Sequence, residues 1–182
     1  LWDMKGKIES KPVVSLIGGT TGELRVYGSS MKRDISPQLE ADRFKKLEDT
    51  LGINAFKFRI GAECGRNKDE WPGRSEEIIK EINKRLDPKT AKLVDANSCF
   101  NASRAIELGK LLEDNDVCHF EEPCPYWEPE QTLQVTNALN IDVTGGEQDC
   151  EFRIWKDMID RKIVNIVQPD IMYMGGLTRS LK

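Results

Sequence analysis

Strand-like and helix-like segments alternate along almost the whole 182-residue chain. Apolar runs predict six strands, and amphipathic segments after the first five predict helices. The predicted strands are residues 23–30, 54–61, 91–98, 117–123, 141–148 and 164–170. Strict alternation of this kind predicts a parallel sheet with helices between its strands. Two α/β architectures fit the pattern, an open doubly wound sheet and a (β/α)8 barrel.

The boundaries of the first two long helices carry their own signals. Ser36 suits the N-cap of a helix, and Pro37 suits its first position. Proline has no backbone N–H, but the N–H at that position has no partner within the helix in any case. Ser75 opens the next predicted helix, whose Ile78 and Ile82 lie on one face. These signals support helices on the outside of the predicted sheet.

Composition excludes several classes of function. Charged residues make up 32% of the chain and hydrophobic residues 38%, and the net charge of −4 leaves no basic surface for nucleic acid. No apolar run approaches the length that crosses a membrane. The five cysteines form no CxxC pair, which favours reduced thiols in a cytoplasmic protein. The single histidine excludes a metal site built from several histidines within these residues.

Acidic residues close four successive predicted strands, namely Asp95, Glu121, Glu147 and Asp170. The same number of residues separates Asp95 from Glu121 and Glu121 from Glu147. This spacing predicts equivalent places on neighbouring strands, with the three carboxylates converging at the C-terminal mouth of a barrel. Converging carboxylates repel one another unless a cation lies between them. Oxygen ligands favour Mg²⁺, so the sequence predicts a magnesium site.

The residues beside Glu121 receive different predictions. Alternation along a strand places Glu122 on the opposite side, so we expect it not to bind the metal directly. His119 shares the side of Glu121 but lies deeper, and we expect a packed structural histidine.

Five short motifs, in chain order, resemble those of the enolase superfamily, within its mandelate racemase and muconate lactonizing enzyme family. They are KFRIG, VDANS, FEEP, GGEQ and QPDIMYMGGLT. The strongest likeness is to the acid-sugar dehydratase group. It implies a partial (β/α)8 TIM barrel with strands one to six over residues 23–182. Residues 1–22 would then end an N-terminal capping domain, and the chain would be a piece of a longer one that lacks strands seven and eight.

The resemblance also implies a reaction. Asp95, Glu121 and Glu147 match the Mg²⁺ ligands of that family, which removes the proton next to a substrate carboxylate and stabilises the enediolate that forms. Lys57 matches the lysine that contacts the substrate carboxylate. Asp170 matches the aspartate that orients a histidine of the seventh strand.

Three further positions are candidates for substrate binding: Asn97, Ser29 and Tyr173. Tyr173 stands where the muconate cycloisomerase and dipeptide epimerase groups carry lysine, which argues against those activities. The substrate implied by the resemblance is a small sugar acid or 2-hydroxy acid, with no nucleic acid or membrane partner. The full-length protein is expected to be a homo-oligomer.

Arg59 replaces the second lysine of the family motif and favours one reaction type. Arginine stays protonated in proteins, so Arg59 is expected to donate hydrogen bonds rather than act as a base. A racemase needs a base on each face of the carbon, whereas a dehydratase works with one histidine. We therefore expect dehydration of a sugar acid to a 2-keto-3-deoxy acid. The alternatives are a racemase or epimerase of a 2-hydroxy acid, or a non-catalytic fragment, and the 182-residue chain alone is expected to be inactive.

Overall fold

The computed structural model describes residues 1–182, and its six strands form a single parallel sheet. The strands are β1 (Gly28–Ser29), β2 (Ala55–Arg59), β3 (Ala91–Asp95), β4 (Val117–Glu121), β5 (Asp142–Gly145) and β6 (Ile166–Val167). Their order in the sheet follows their order in the chain. A doubly wound sheet needs a point where that order reverses. The sheet therefore consists of successive barrel units, and the partial (β/α)8 architecture is confirmed.

The helices fall between the strands, as the alternation predicts. They are α1 (Trp2–Glu9), α2 (Val13–Leu16), α3 (Pro37–Leu51), α4 (Arg74–Arg85), α5 (Ala102–Glu113), α6 (Pro129–Ala138), α7 (Phe152–Asp160) and α8 (Leu177–Ser180). Ser36 caps α3, since its Oγ accepts a hydrogen bond from the backbone N–H of Leu39 at 3.3 Å. None of these helices has the length and apolar character needed to cross a bilayer.

The core lies between the sheet and its helices, and β2 shows how it is built. Phe56 and Phe58 are fully buried, and Phe56 stacks on Phe44 of α3 with ring centroids 4.6 Å apart. Because side chains alternate along a strand, Lys57 and Arg59 project from the opposite face of the sheet. One strand therefore supplies both the hydrophobic core and the charged interior face.

The first and last strands are much shorter than predicted. Residues 23–27 lie outside β1, and the side chains of Leu24 and Val26 are largely exposed. They have no buried apolar face to hold them on the sheet, so their β propensity has no effect. β6 is likewise limited to Ile166–Val167, both of which are partly exposed.

Candidate active site

Four charged side chains meet at the C-terminal ends of β2, β3 and β4, and we call them the charged cluster. The cluster consists of Lys57, Arg59, Asp95 and Glu121, all of which are buried. Lys57 Nζ lies 2.5 Å from Glu121 Oε2 and 3.6 Å from Asp95 Oδ2, and Arg59 Nη1 lies 2.5 Å from Asp95 Oδ2. Two cations thus offset two carboxylates on the inner face of the sheet, where an unpaired charge would be costly.

The strand register explains why the two carboxylates are neighbours. Asp95 and Glu121 are the last residues of β3 and β4, and they lie opposite each other in the pairing of these strands. In a parallel sheet, residues in register on the same face point in the same direction. The predicted meeting of these two side chains at one end of the sheet is therefore present.

Burial and pairing act in opposite directions on this cluster. Burial alone would raise the pKa of Glu121, but hydrogen bonds from His119 and Lys57 lower it below its ordinary value. Burial, followed by the charge of Glu121, raises the pKa of Asp95 despite the nearby Arg59 and Lys57. The pKa of Lys57 is lowered by burial but raised overall by Glu121 and Asp95. Lys57 is therefore held as a cation.

His119 lies two residues before Glu121 on β4 and contacts the charged cluster from the same face of the sheet. Its Nε2 lies 2.9 Å from Thr144 Oγ1 and 3.5 Å from Glu121 Oε2. The histidine shares the face of Glu121, as predicted from alternation, but it also contributes polar contacts to that carboxylate. Its predicted role was packing alone, and this contact was not predicted.

Glu122 begins the loop after β4, and its backbone φ of 43° lies in the left-handed region. The side chain is 5% exposed, and both carboxylate oxygens are buried without a hydrogen-bond partner. Ser98 and Thr144 share with it a small cavity of about 30 Å³. Burial and the charges of Glu147, Asp95 and Glu121 raise the pKa of Glu122 to about 8. Glu122 therefore has no cation to neutralise it.

Glu147 does not occupy the place on β5 that the equal spacing predicts. The residue opposite Glu121 is Thr144, and β5 ends at Gly145, so Glu147 lies in the following loop. The structure contains no group of three or more His, Cys, Asp or Glu side chains placed to hold a metal ion. The predicted equivalent strand position was wrong for Glu147, because β5 ends at Gly145, two residues before it.

The carboxylate oxygens at this site are nevertheless the kind of ligand that a hard divalent cation binds. Asp95 and Glu121 are buried carboxylates that share Lys57, and two oxygens of Glu122 are buried nearby without a hydrogen-bond partner. Carboxylate oxygens are the ligands that Mg²⁺ prefers. The site thus offers suitable donors, although the structure does not gather three of them around one point.

Asn97 lies directly beside the charged cluster. Its backbone N–H donates to Asp95 Oδ1 at 2.7 Å, and its side-chain Nδ2 donates to Asp95 Oδ2 at 3.3 Å. Ser29 is paired in register with Lys57, but its side chain is exposed at the end of β1. Of the predicted substrate-binding residues, Asn97 therefore has a direct contact with the cluster.

Asp170 and Tyr173 lie in the turn that follows β6. Asp170 Oδ1 accepts hydrogen bonds from the backbone N–H groups of Met172 at 2.6 Å and Tyr173 at 3.1 Å. This pattern closes an Asx-type turn. The Tyr173 side chain is 58% exposed. Neither residue has a hydrogen bond or ion pair with the charged cluster in this structure.

Several contacts to the cluster come from residues around β1 that sequence analysis did not single out. The Lys57 ammonium lies 5.5 Å from the centre of the Tyr27 ring, and Arg59 Nη2 donates to Met31 Sδ at 3.1 Å. Arg33 Nη2 donates to Asn97 Oδ1. These residues form no motif, and their partners are far away in the chain, so no local signal indicated them.

Comparison with known proteins shows which family the chain belongs to. The model of the enolase C-terminal domain-like family matches residues 40–182. Among curated relatives, arabinonate dehydratase of Saccharolobus solfataricus is 27% identical over all of this chain and 47% of its own length. L-talarate/galactarate dehydratase of Salmonella typhimurium is 26% identical over all of this chain and 44% of its own length.

Solved structures give the same result. A candidate racemase from Roseobacter denitrificans is 59% identical, with a TM-score of 0.95 over 99% of this chain and 49% of its own. An enolase from Bradyrhizobium, crystallised with magnesium and mandelic acid, is 26% identical, with a TM-score of 0.85 over 99% of this chain and 47% of its own. The chain spans about half the length of the relatives it matches. It belongs to the enolase C-terminal domain-like family, among the mandelate racemase and muconate lactonizing enzymes of the enolase superfamily.

Proposed function

We propose that the full-length protein removes the proton next to the carboxylate of a sugar acid and dehydrates the acid to a 2-keto-3-deoxy acid through an enediolate. The observation that carries the proposal is the charged cluster, in which Lys57 is buried between Glu121 and Asp95 at the C-terminal end of a parallel sheet. Active sites of this architecture lie at that end. The relatives named as arabinonate and L-talarate/galactarate dehydratases support the choice of reaction.

A magnesium ion is the cofactor that we propose for the site. Asp95, Glu121 and Glu147 would hold it, with Glu147 brought in from the loop after β5. Bound there, a divalent cation supplies positive charge where negative charge develops on the substrate carboxylate as the proton leaves. The neighbour crystallised with magnesium and mandelic acid supports this assignment.

Lys57 binds the substrate carboxylate in this proposal. Its raised pKa keeps the ammonium charged, so it acts as a hydrogen-bond donor and not as a base. Arg59, anchored by Asp95 at 2.5 Å, adds a second fixed positive charge. Cations held in advance stabilise developing negative charge without reorganising during the reaction.

The proton acceptor and the domain boundaries also remain proposals. The only histidine of the chain, His119, is engaged by Thr144 and Glu121, which makes it unsuitable as the base. We propose that Asp170 orients a histidine of the following βα unit, which removes the proton and then protonates the leaving hydroxyl. Residues 1–22 are proposed to close a capping domain, and residues 23–182 to belong to the barrel.

A racemase or epimerase of a 2-hydroxy acid is the second candidate. The observation in its favour is the 59% identity to the candidate racemase of Roseobacter denitrificans. Against it, Arg59 occupies the place of a second base and is paired with Asp95. An arginine in such a pair does not accept a proton from carbon.

One experiment separates the two reactions. The full-length protein is incubated with Mg²⁺ and a library of acid sugars and 2-hydroxy acids in deuterated water. Dehydration gives a 2-keto product that reacts with semicarbazide, whereas racemisation gives deuterium next to the carboxylate and both configurations. We expect 2-keto products from at least one sugar acid. Deuterium exchange with inversion and no keto product would replace dehydration by racemisation, and neither signal would overturn both.

A further inference from the structure

Two cavities adjoin between the sheet and its last long helices, and no residue of the charged cluster lines either of them. The outer cavity has a volume of about 750 Å³ and lies between the start of α6 and α7. The inner cavity, of about 30 Å³, lies deeper, against the ends of β4 and β5. Five residues line both cavities and so form the boundary between them, namely Tyr126, Pro129, Asp149, Met158 and Ile163.

Three oxygens in the lining of the inner cavity are buried without a hydrogen-bond partner. They are both carboxylate oxygens of Glu122 and Oγ of Ser98. The backbone holds Glu122 in place, because its N–H donates to Thr144 O at 2.9 Å and its carbonyl accepts from the N–H of Ser98 at 2.7 Å. Buried acceptors without donors are costly. A ligand group that carries several N–H donors would remove that cost.

Charge favours a cation in the inner cavity. Glu122 and Asp149, both buried, contribute carboxylates to its lining, and no Lys, Arg or His lines it. The outer cavity is lined by residues of both signs, so only the inner one selects by charge. A volume of about 30 Å³ holds one water-sized group, and an ammonium group has that size.

The outer cavity suits the organic part of a ligand. Its volume lies in the range of small-molecule sites, and Tyr126, Trp127, Ile154 and Met158 line it. Tyr126 and Trp127 pack edge to face with ring centroids 4.9 Å apart, and both are about half exposed. Trp127 also packs on Gly65, where an added Cβ would lie 3.1 Å from the indole ring. The aromatic pair is therefore a supported wall that a ligand can reach. Met158 at the boundary has three rotatable bonds and can move aside for that ligand.

We infer that the two cavities form a binding site for a small primary amine, with its ammonium group at Glu122 and its apolar body in the outer cavity. An ammonium group brings three N–H donors and one positive charge, which the unpartnered oxygens and the carboxylates of the inner cavity both require. The site is separate from the proposed reaction, because no proposed ligand of the metal or the substrate lines it. Amine binding therefore stands or falls independently of dehydration.

Three ligands with the same phenylethyl body test the inference. They are 2-phenylethylamine, its neutral counterpart 2-phenylethanol, and N,N,N-trimethyl-2-phenylethylammonium, whose charged head group is too large for the inner cavity. Dissociation constants are measured by calorimetry on the full-length protein, for the wild type, Glu122→Gln and Glu128→Gln. Glu128→Gln is the matched control, because it removes the same charge from an exposed residue that lines neither cavity. Melting temperatures show whether each variant is folded.

We expect the wild type to bind the amine about ten- to a hundredfold more tightly than the alcohol or the trimethyl compound. Glu122→Gln should bind the amine and the alcohol equally, whereas Glu128→Gln should keep the preference. In the wild type, equal affinity for amine and alcohol, or no binding of the amine, would overturn the inference whether or not the variants fold. Equally tight binding of the trimethyl compound would overturn it as well, because the charge would then be held outside the inner cavity. An unchanged preference in Glu122→Gln would have the same consequence.

Discussion

Glu121 and Glu122 are adjacent, and both are buried, with 1% and 5% of their surface exposed. Burial raises the pKa of both carboxyls, yet the final directions are opposite. Hydrogen bonds from His119 and Lys57 lower the pKa of Glu121, whereas Glu122 forms no ion pair with a cation and its pKa rises to about 8. The comparison shows that fixed partners, and not depth alone, decide whether a buried carboxylate is charged.

The difference originates in the backbone at the end of β4. Glu121 is the last residue of the strand and faces Lys57 across the sheet. Glu122 has a φ of 43°, and its side chain enters the small cavity beside Ser98. Two consecutive residues therefore carry a carboxylate paired with a cation, at Glu121, and one without a cation, at Glu122.

The largest expected effect comes from removing the charge of Glu121. Glu121→Gln should lower Mg²⁺-dependent turnover of the full-length protein on the order of 10³-fold, because it removes a proposed ligand and the partner of Lys57. Steady-state kinetics and Mg²⁺ titration measure the effect. Glu122→Gln is the matched control and should lose much less Mg²⁺ affinity. Equal losses would mean that Glu122 also binds the metal.

Lys57→Met should destabilise the protein by about 3 kcal/mol in EDTA, since it leaves two buried carboxylates without their shared cation. Urea denaturation measures the free energy of unfolding. A change below about 1 kcal/mol would show that the Lys57 charge contributes little to neutralising Glu121. It would contradict the conclusion that fixed partners decide whether a buried carboxylate is charged.

Glu122→Gln should stabilise the protein at high pH. The ordinary pKa of 4.5 rises to about 8 on folding, so the folded state holds a proton that the unfolded state releases. Stability of the wild type should therefore fall as pH rises from about 4.5 to 8 and then level off, whereas the variant should lose this slope. At pH 8 we expect a gain of about 1–3 kcal/mol, measured by melting curves in EDTA. An identical slope in both proteins would contradict the assigned pKa.

The smallest expected effect concerns His119. His119→Phe should cost about 1 kcal/mol, because it removes the polar contacts to Thr144 and Glu121 while keeping an aromatic ring. Cys118→Ser, on the other face of β4, serves as control and should change the unfolding free energy less. Urea titration of both variants makes the comparison, and equal values would assign His119 to packing alone.

The parallel sheet and the meeting of Asp95 with Glu121 could be predicted from the sequence, since both follow from alternation and from one βα repeat, whereas the strand order was implied only by the family resemblance. Equal spacing misled the prediction at Glu147, because a residue count does not show where a strand stops. β5 ends at Gly145, and Gly146 turns the chain with a φ of 112°. The contact of Arg33 with Asn97 was missed for another reason. Arg33 and Asn97 lie 64 residues apart, and such long-range contacts have no local pattern.

The alternation along β2 has a consequence for how the chain finds its native pairing. Phe56 and Phe58 face the helices, while Lys57 and Arg59 face the carboxylates. A slip of one residue would exchange the two sets, burying both cations among helix side chains and leaving Asp95 and Glu121 opposite phenyl rings. The charged residues of the candidate site thereby penalise misaligned sheets during folding, so the same side chains also help to fix the register of the barrel.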